Sequence, residues 1–376
     1  MTSPTTSPTT DPAPAVSSLP AQAAPPDVVP GPVRAEPLPA DRPVRWGILA
    51  TGKIATAFVG DLALLENCEV AAVGARRQES ADAFAGEHGI PTAYGDYRAL
   101  VEDPDVDVVY VATPHALHRE HVELALEAGK PVLCEKAFTL NAPDAEHLVA
   151  LARERGLFLM EAMWMRCNPL VRRVQHLLAS GQLGEVRQVR ADLGFVVDKP
   201  PTDRLLDPSL GGGALLDMGI YPLTFASLFL GEPSAVAATA ALSELGADLN
   251  LAVSLGYDSG AVASLTSTMT AWSPRTASIA TDRGRLDFPP AFHHPRRVTW
   301  TAHSGDPDFA GPPEPEELTT ELVGTGLAHE ALEVVRCLRT GETESPLVPL
   351  DDTVALMRQM DAIREQIGVR YAVDDA

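Results

Sequence analysis

The chain has 376 residues, enough for two domains with separate cores, and 45% of them are hydrophobic while 21% are charged. No apolar run approaches the roughly 20 residues that span a bilayer, which argues against a membrane protein. The formal net charge of −22 disfavours binding to nucleic acid or to an anionic membrane, because both require a basic surface.

Residues 1–43 are rich in Pro, Ala, Ser and Thr and poor in large apolar side chains. Such a segment buries too little surface to offset the entropy of ordering, so we predict a disordered tail. It has neither the apolar core of a signal peptide nor the arginine pair of a twin-arginine export signal. The four cysteines form no CxxC pair. The sequence therefore predicts a reduced, cytoplasmic protein with an N-terminal extension.

A short apolar strand over residues 44–50 is followed by a tight turn and a helical pattern. Against the dinucleotide fingerprint GxGxxG/A, Ala50 stands at the first glycine, while Gly52 and Ala55 match the second glycine and the permitted alanine. An ordinary strand-to-helix turn is the alternative. The candidate cofactor contacts in this turn are Thr51, Gly52, Lys53 and Ile54.

The next predicted strand, residues 69–77, ends in Arg76 and Arg77. These arginines lie at the usual distance from the glycine turn for recognition of the adenosine ribose. An acidic residue here would accept from the ribose 2′-hydroxyl, whereas two arginines offer donors and positive charge to a 2′-phosphate. A solvated pair of surface arginines is the alternative. The position favours NADP over NAD as the cofactor.

Two further buried strands, residues 107–112 and 131–134, alternate with helices. This order predicts a parallel sheet, in which ligands bind beyond the carboxyl ends of the strands. We expect the side chains that follow these strands to join the cofactor site, namely Thr113, His115, Glu135 and Lys136.

Three histidines, His115, His118 and His121, are three residues apart, as metal ligands on a helix can be. No acidic or cysteine ligand nearby completes the set, and coordination by all three would be strained. We therefore predict no metal site.

A strand over residues 156–166 leads out of the first sheet. If it stays extended beyond Glu161, Trp164 and Arg166 point to the same side and form an aromatic wall and a cation at the domain junction. A core tryptophan with a surface arginine is the alternative.

The second half is a series of strand-length segments separated by Gly and Asp turns: 184–197, 234–241, 249–257, 262–269, 277–288 and 297–302. They predict a large, mostly antiparallel sheet with one open face, through which a homodimer could form. Two amphipathic helices, 330–339 and 351–367, close the chain.

Within this series, residues 211–213 are three glycines that predict a flexible turn into a helix. Asp217 and Tyr221 lie one helical turn apart on the same face. Alone, this pair also fits a surface carboxylate and a core tyrosine.

Several of these motifs occur together: residues 46–55, 113–118, 128–136, 156–166 and 211–221. In this combination the chain resembles the Gfo/Idh/MocA oxidoreductases from residue 44 onward. The similarity is closest to the branch of dimeric dihydrodiol dehydrogenases and NADP-dependent D-xylose dehydrogenases.

The resemblance implies an α/β protein with a Rossmann domain at residues 44–165 and an α+β domain at residues 166–376, which binds substrate and forms a dimer through its sheet. Lys136 matches the lysine of the family's Glu-Lys-Pro motif, and Tyr221 matches its catalytic tyrosine. Asp217 matches the aspartate of the same helix. Ala137 departs from the family because proline is usual there.

These residue types suit hydride transfer. Oxidation of an alcohol or hemiacetal needs a base for the hydroxyl proton, and the ammonium of Lys136 is expected to lower the pKa of Tyr221 for this task. In reduction the same pair donates the proton. Asp217 would hold the substrate or orient the pair, with His115, Trp164 and Arg166 as walls of the substrate pocket.

We therefore predict an NADP-dependent dehydrogenase whose small-molecule substrate is an aldose or a cyclic trans-diol. Two alternatives stay open. One is an NADP-binding regulatory or partner protein without catalysis, which the departure at Ala137 allows. The other is an inositol or amino-sugar dehydrogenase, against which the tyrosine at position 221 argues.

Overall fold

A computed structural model describes residues 36–303 and 314–375. The predicted tail therefore lies outside the described residues as far as residue 35. Its last part contacts the folded chain, since the N–H of Leu38 donates to the carbonyl of Leu338 and Arg42 forms an ion pair of 2.5 Å with the buried carboxylate of Asp107.

The first sheet has six strands that are all parallel, in the spatial order β3-β2-β1-β4-β5-β6. The strands are β1 (Val44–Leu49), β2 (Cys68–Gly74), β3 (Thr92–Tyr94), β4 (Val108–Val111), β5 (Val132–Glu135) and β6 (Leu159–Ala162). The central strands are apolar and buried because helices cover both faces. The strand order reverses between β1 and β4, which places a ligand crevice at their carboxyl ends.

The helices of this half are α1 (Lys53–Leu62), α2 (Gln78–His88), α3 (Tyr97–Glu102), α4 (His118–Glu127) and α5 (Ala142–Arg155). The side chain of Asn141 caps α5 by accepting from the N–H of Asp144. By contrast, α1 follows Gly52 directly and has no side-chain cap. Its first N–H groups are therefore open to a ligand.

The predicted extension of the strand beyond Glu161 is wrong. After Ala162 the chain turns tightly, with the N–H of Met163 donating to the carbonyl of Glu161. The helices α6 (Trp164–Cys167) and α7 (Pro169–Ala179) follow. Because the segment is helical, Trp164 and Arg166 point in different directions and do not share a wall.

Within the described residues the second sheet has eight strands in the order β14-β13-β12-β11-β7-β10-β9-β8, and only the pair β7 and β10 is parallel. The strands are β7 (Val186–Gly194), β8 (Ala235–Leu242), β9 (Asp248–Gly256), β10 (Val262–Thr268), β11 (Ala277–Thr281), β12 (Gly284–Phe288), β13 (Arg297–Ala302) and β14 (Glu316–Thr319). Residues 277–288, taken as one segment from the sequence, form the hairpin of β11 and β12. The predicted α/β class with a mostly antiparallel second sheet is confirmed.

A helix, α8 (Ile220–Leu230), packs against β7 on the inner face of this sheet. The outer face carries polar side chains such as Arg190, Ser264 and Asp287 around a shallow groove of about 540 Å³. The homodimer expected through this face stays a prediction.

The last two helices, α9 (Ala328–Thr340) and α10 (Leu350–Ile367), return to the first half of the molecule. There α9 packs on α1, and α10 packs on α5 and β6. One continuous hydrophobic core therefore joins both sheets. Within residues 36–303 and 314–375, the helices are too short or too polar to cross a membrane.

Candidate active site

A cleft of about 1260 Å³ lies at the carboxyl ends of the first sheet, between that sheet and α8. It contains nearly all of the residues that the sequence singles out: Thr51, Gly52, Lys53, Ile54, Arg76, Arg77, Thr113, His115, Glu135, Lys136, Trp164, Asp217 and Tyr221. The chain thus brings together side chains that are up to 170 positions apart in the sequence, from Thr51 to Tyr221.

Arg166 is the exception, because the structure places it outside the lining of the cleft. Its guanidinium donates to the carboxylate of Asp352 at 2.7 Å, and its side chain is only 8% exposed. The helical turn of α6 directs it toward α10. The structure therefore gives no support to Arg166 as a wall of the substrate pocket.

The glycine turn forms one end of the cleft. A Cβ atom at Gly52 would meet nothing within 4 Å, so the backbone here faces open space. The first turn of α1 carries no acidic residue and no cap, which suits an anion at the helix N-terminus. Ala50 has φ of 91°, the left-handed conformation that the fingerprint glycine normally supplies.

Arg76 and Arg77 follow β2 on the same side of the cleft. Arg77 donates to the hydroxyl of Ser80 at 3.3 Å, and both residues line the cleft. Together with the open N-terminus of α1, they form a donor set that fits the pyrophosphate and ribose of a dinucleotide.

At the other end, Lys136 enters from the first sheet and meets α8. Its ammonium donates to the backbone carbonyl of Asp217 at 2.8 Å and lies 3.6 Å from the Asp217 carboxylate. It also lies 4.9 Å from the centre of the Tyr221 ring. The peptide bond between Lys136 and Ala137 is cis.

The backbone of residues 211–219 is shaped to present these groups. Glycine is required at 211 and 213, which have φ of 79° and 136°, because a Cβ there would clash with His115 and Asp248. The N–H of Leu215 donates to the Asp248 carboxylate at 2.7 Å. A π-helical turn, Leu215–Gly219, then leads into α8. The three glycines thus serve close packing at the edge of the cleft.

The ammonium and the carboxylate keep their charges in this site. Burial acts to raise the pKa of Asp217, but the positive charges of Lys136 and Arg204 outweigh it, so that pKa lies below its ordinary value. Burial acts to lower the pKa of Lys136, but Asp217 and Tyr221 outweigh it, so that pKa is raised. At neutral pH the pair is ionic.

The expectation that Lys136 lowers the pKa of Tyr221 below its ordinary value is wrong. Burial raises the pKa of Tyr221 to about 12, and the charge of Lys136 and a hydrogen bond from Trp164 offset this only in part. The phenol is therefore protonated at neutral pH.

The histidines support the loops of the cleft. His115 Nδ1 lies 3.1 Å from the carbonyl of Gly211, and burial lowers the pKa of His115 to about 4, so its ring is neutral. His118 lies between the carbonyls of Thr113 and Ala137, and His121 contacts the Thr113 hydroxyl. In the two described ranges, no group of three or more His, Cys, Asp or Glu residues is placed to hold a metal ion.

Glu135 faces the cleft from behind Lys136. Its carboxylate accepts from the hydroxyl of Tyr110 and from the N–H of Lys136, the latter at 3.2 Å. Its contacts therefore fix the end of β5 and the start of the lysine segment.

Sequence reasoning missed two parts of the cleft. Arg204, in the loop after β7, lies 3.6 Å from the Asp217 carboxylate and is a second cation on it. Thr325 and Leu327 line the cleft from the segment before α9. The loop around Arg204 has no hydrophobic periodicity, so the sequence gives no signal for Arg204. For the segment with Thr325 there is a signal, because Gly324 and Gly326 just before an apolar helix indicate a close approach of the backbone.

Comparisons with known proteins agree with this architecture. Residues 44–163 match the model of the oxidoreductase family with an NAD-binding Rossmann fold, and residues 171–287 match that of the GFO/IDH/MocA C-terminal domain. The trans-1,2-dihydrobenzene-1,2-diol dehydrogenase of Xenopus tropicalis is 38% identical over 331 residues, which cover 87% of this chain and 99% of that protein.

Two solved structures are also similar. A 3-ketoreductase from Actinomadura kijaniata in complex with NADP and TDP-benzene is 30% identical, with a TM-score of 0.76 and coverage of 88% of this chain and 99% of that one. The aldose-aldose oxidoreductase from Caulobacter crescentus is 29% identical, with a TM-score of 0.76 and coverage of 86% and 97%. The chain is therefore an oxidoreductase that belongs to the Gfo/Idh/MocA family.

Proposed function

We propose that the protein is an NADP-dependent oxidoreductase that transfers a hydride between its cofactor and an alcohol or hemiacetal carbon of an aldose or a cyclic trans-diol. One observation carries the proposal. The Tyr221 phenol, the Lys136 ammonium and the Asp217 carboxylate meet at one end of the cleft whose other end holds the open helix N-terminus and two arginines.

The hydrogen-bond donors and positive charges at the glycine-turn end of the cleft support NADP as the cofactor. The N–H groups at the start of α1, next to Gly52, would hold the pyrophosphate. Arg76 and Arg77 follow β2 and line the cleft, where they would bind a 2′-phosphate. The 3-ketoreductase of Actinomadura kijaniata, which was solved with NADP, lends support by similarity.

The substrate end supports proton transfer by Tyr221. When bound, the cofactor supplies or accepts the hydride at its nicotinamide ring. Because Tyr221 is protonated at neutral pH, it would donate its Oη proton to the substrate oxygen in reduction and take that proton back in oxidation. The ammonium of Lys136 would stabilise the negative charge that the phenol oxygen then gains.

Asp217 would orient the substrate. Lys136 and Arg204 hold its carboxylate in the charged form, so it acts as an acceptor only. Aldoses and trans-diols both present a second hydroxyl next to the reacting carbon, which can donate to this carboxylate. Relatives named for a dihydrobenzene diol and for aldoses are consistent with both substrate classes.

The test is a panel assay with both cofactors. Purified protein is incubated with NADP⁺ or NAD⁺ and with D-xylose, D-glucose, inositol or trans-dihydrodiols, and reduction of the cofactor is followed. We expect turnover with NADP⁺ and at least one aldose or trans-diol. In Tyr221→Phe, kcat should fall by about 10²- to 10⁴-fold while NADPH binding is retained. Binding of NADPH without turnover of any substrate would instead favour a non-catalytic cofactor-binding protein.

The cofactor preference has its own test. In the double variant Arg76→Ala, Arg77→Ala, KM for NADP⁺ should rise roughly 10- to 100-fold with little change for NAD⁺, because only the 2′-phosphate loses its partners. Arg187→Ala is a matched control, since Arg187 is an exposed arginine of the second sheet that pairs with Glu185. An equal rise in KM for NADP⁺ and NAD⁺ would contradict the assignment of Arg76 and Arg77 to the 2′-phosphate.

A further inference from the structure

The hydroxyl of Tyr221 has a direct hydrogen-bond partner in the indole of Trp164. The indole N–H of Trp164 donates to Tyr221 Oη at 2.9 Å. Among the described residues this is the only hydrogen bond recorded for that hydroxyl. One lone pair of the oxygen is thereby occupied, and because Tyr221 lines the cleft, its O–H proton remains available to an acceptor bound there.

Lys136 does not take this position. Its ammonium is committed to the carbonyl of Asp217 at 2.8 Å and approaches Tyr221 over the ring, 4.9 Å from the centroid. The ammonium therefore acts on the phenol through charge, while the indole is the donor that contacts the oxygen itself.

The indole is held so that its N–H keeps this direction. The ring stacks on His294, with 4.8 Å between the ring centres and an angle of 19° between the planes. On another side the segment before α9 approaches the indole at Gly326, where a Cβ would lie 3.4 and 3.5 Å from two carbons of the ring. His293 packs against the ring of Tyr221, with 4.7 Å between the ring centres.

We propose that Trp164 is a positioning residue for proton transfer: its indole N–H directs the Tyr221 proton toward the substrate and stabilises the phenol oxygen when that oxygen becomes charged. This inference rests on the proposed function, because it assigns Trp164 a role in the chemistry of Tyr221. A hydrogen bond to an oxygen that gains charge strengthens along the reaction, so its loss should appear in kcat and not in substrate binding.

The first experiment is a double-mutant cycle with Trp164→Phe and Tyr221→Phe. Trp164→Phe keeps an aromatic ring and removes the donor, so kcat should fall roughly 10- to 100-fold with KM and NADPH affinity unchanged. In the Tyr221→Phe background the same change should have no further effect, because the acceptor is already absent. Trp272→Phe is the control, since Trp272 is 72% exposed and lies outside the lining of the cleft.

A second measurement needs neither substrate nor cofactor. The chain has four tryptophans, so a ¹⁵N-indole spectrum contains four N–H resonances, and Trp164→Phe identifies the one of Trp164. We expect Tyr221→Phe to shift this resonance, and Trp272→Phe to leave it in place.

Two results would overturn the inference: an unshifted Trp164 resonance in Tyr221→Phe, or an equal loss of kcat on Trp164→Phe in both backgrounds. If the wild-type protein turns over no substrate, the proposed function fails. The resonance shift then still decides whether Trp164 holds the tyrosine hydroxyl.

Discussion

The chemistry of this site depends on how strongly burial acts on one phenol. Lys136 and Trp164 both favour the charged form of Tyr221, yet removal from water outweighs them and the pKa of Tyr221 stands at about 12. A protonated tyrosine is ready to act as the acid in reduction. For oxidation, the same residue must first lose its proton.

This balance predicts a pH profile. Below its pKa, the ionised fraction of Tyr221 rises tenfold for each pH unit, so kcat/KM for oxidation should climb with a slope near one between about pH 6 and about pH 10. Over the same range kcat/KM for reduction should stay flat, because the phenol is already protonated. A break of the oxidation profile near neutral pH would assign the base to a different group.

A second residue-scale prediction concerns Ala50. Its φ of 91° is left-handed, which costs a residue with a Cβ about 1 to 2 kcal/mol. Ala50→Gly removes this strain, although the unfolded chain gains freedom worth about 0.5 to 1 kcal/mol. We expect a net stabilisation of about 0.5 to 1 kcal/mol in urea unfolding of the cofactor-free protein. Ala71→Gly, within β2, should instead destabilise, and destabilisation by both variants would refute the assignment of strain to position 50.

Among the secondary-structure elements, helix α1 supplies a side chain that caps the start of helix α9. Asp61 of α1 is buried and accepts from the backbone N–H groups of Thr325, Gly326 and Ala328, at 2.8 to 3.2 Å, as well as from the Thr325 hydroxyl. This carboxylate therefore anchors the start of α9 to the first half of the molecule. Gly324 must be glycine because a Cβ there would clash with Asp61.

Loss of this anchor should affect both stability and the cofactor. Asp61→Ala leaves several backbone donors without a partner, and we expect a loss of about 3 kcal/mol in urea unfolding. NADPH affinity should weaken too, because Thr325 and Leu327 line the cleft. Asp61→Asn keeps one acceptor oxygen, so its free energy of unfolding should lie between those of wild type and Asp61→Ala. An Asp61→Ala variant with wild-type stability would show that the segment is held by other contacts.

The same anchor shows what the sequence could and could not predict. Local patterns were sufficient for five of the six strands of the parallel sheet and for most strands of the second sheet, because each depends on neighbours in the chain; the short strand β3 (Thr92–Tyr94) was missed. The bond between Asp61 and Thr325 joins positions 264 residues apart, and no local pattern marks it. The helical turn at Trp164 was missed because the segment is short. Over so few residues, a pattern that repeats every second residue fits a helix as well as a strand.

At the scale of the whole molecule, charge is distributed unevenly. The chain carries a net charge of −22, yet the described part of its cleft is lined by six cationic side chains, namely Lys53, Arg76, Arg77, Lys136, Lys199 and Arg204. The carboxylates that line it are Glu135, Asp203 and Asp217. The cleft is thus a local positive region in an acidic protein, which favours capture of an anionic cofactor.

Behind the cleft, acidic side chains from both halves of the molecule meet inside the core. Glu330 of α9 is fully buried, and neither of its carboxyl oxygens has a hydrogen-bond partner in the part of the chain that the structure describes. Glu135, Glu161 and Asp61 face it from β5, β6 and α1. Burial, together with these neighbouring carboxylates, raises the pKa of Glu330 well above its ordinary value.

This predicts how stability depends on pH. In the unfolded chain Glu330 ionises at a pKa of about 4.3, whereas in the folded protein it stays protonated to a higher pH. The unfolded state is therefore stabilised relative to the folded state as pH rises above about 4, until Glu330 ionises in the folded protein as well.

Glu330→Gln is uncharged at every pH, so it should unfold at a higher urea concentration than wild type at neutral pH. This difference in stability should shrink as pH falls toward 4. Glu333→Gln, one helical turn away, is the control: it weakens bonds to Arg336 and Ser345 and should cost about 1 kcal/mol. A Glu330→Gln variant less stable than wild type at neutral pH would mean that the buried carboxyl is charged and compensated in the native protein.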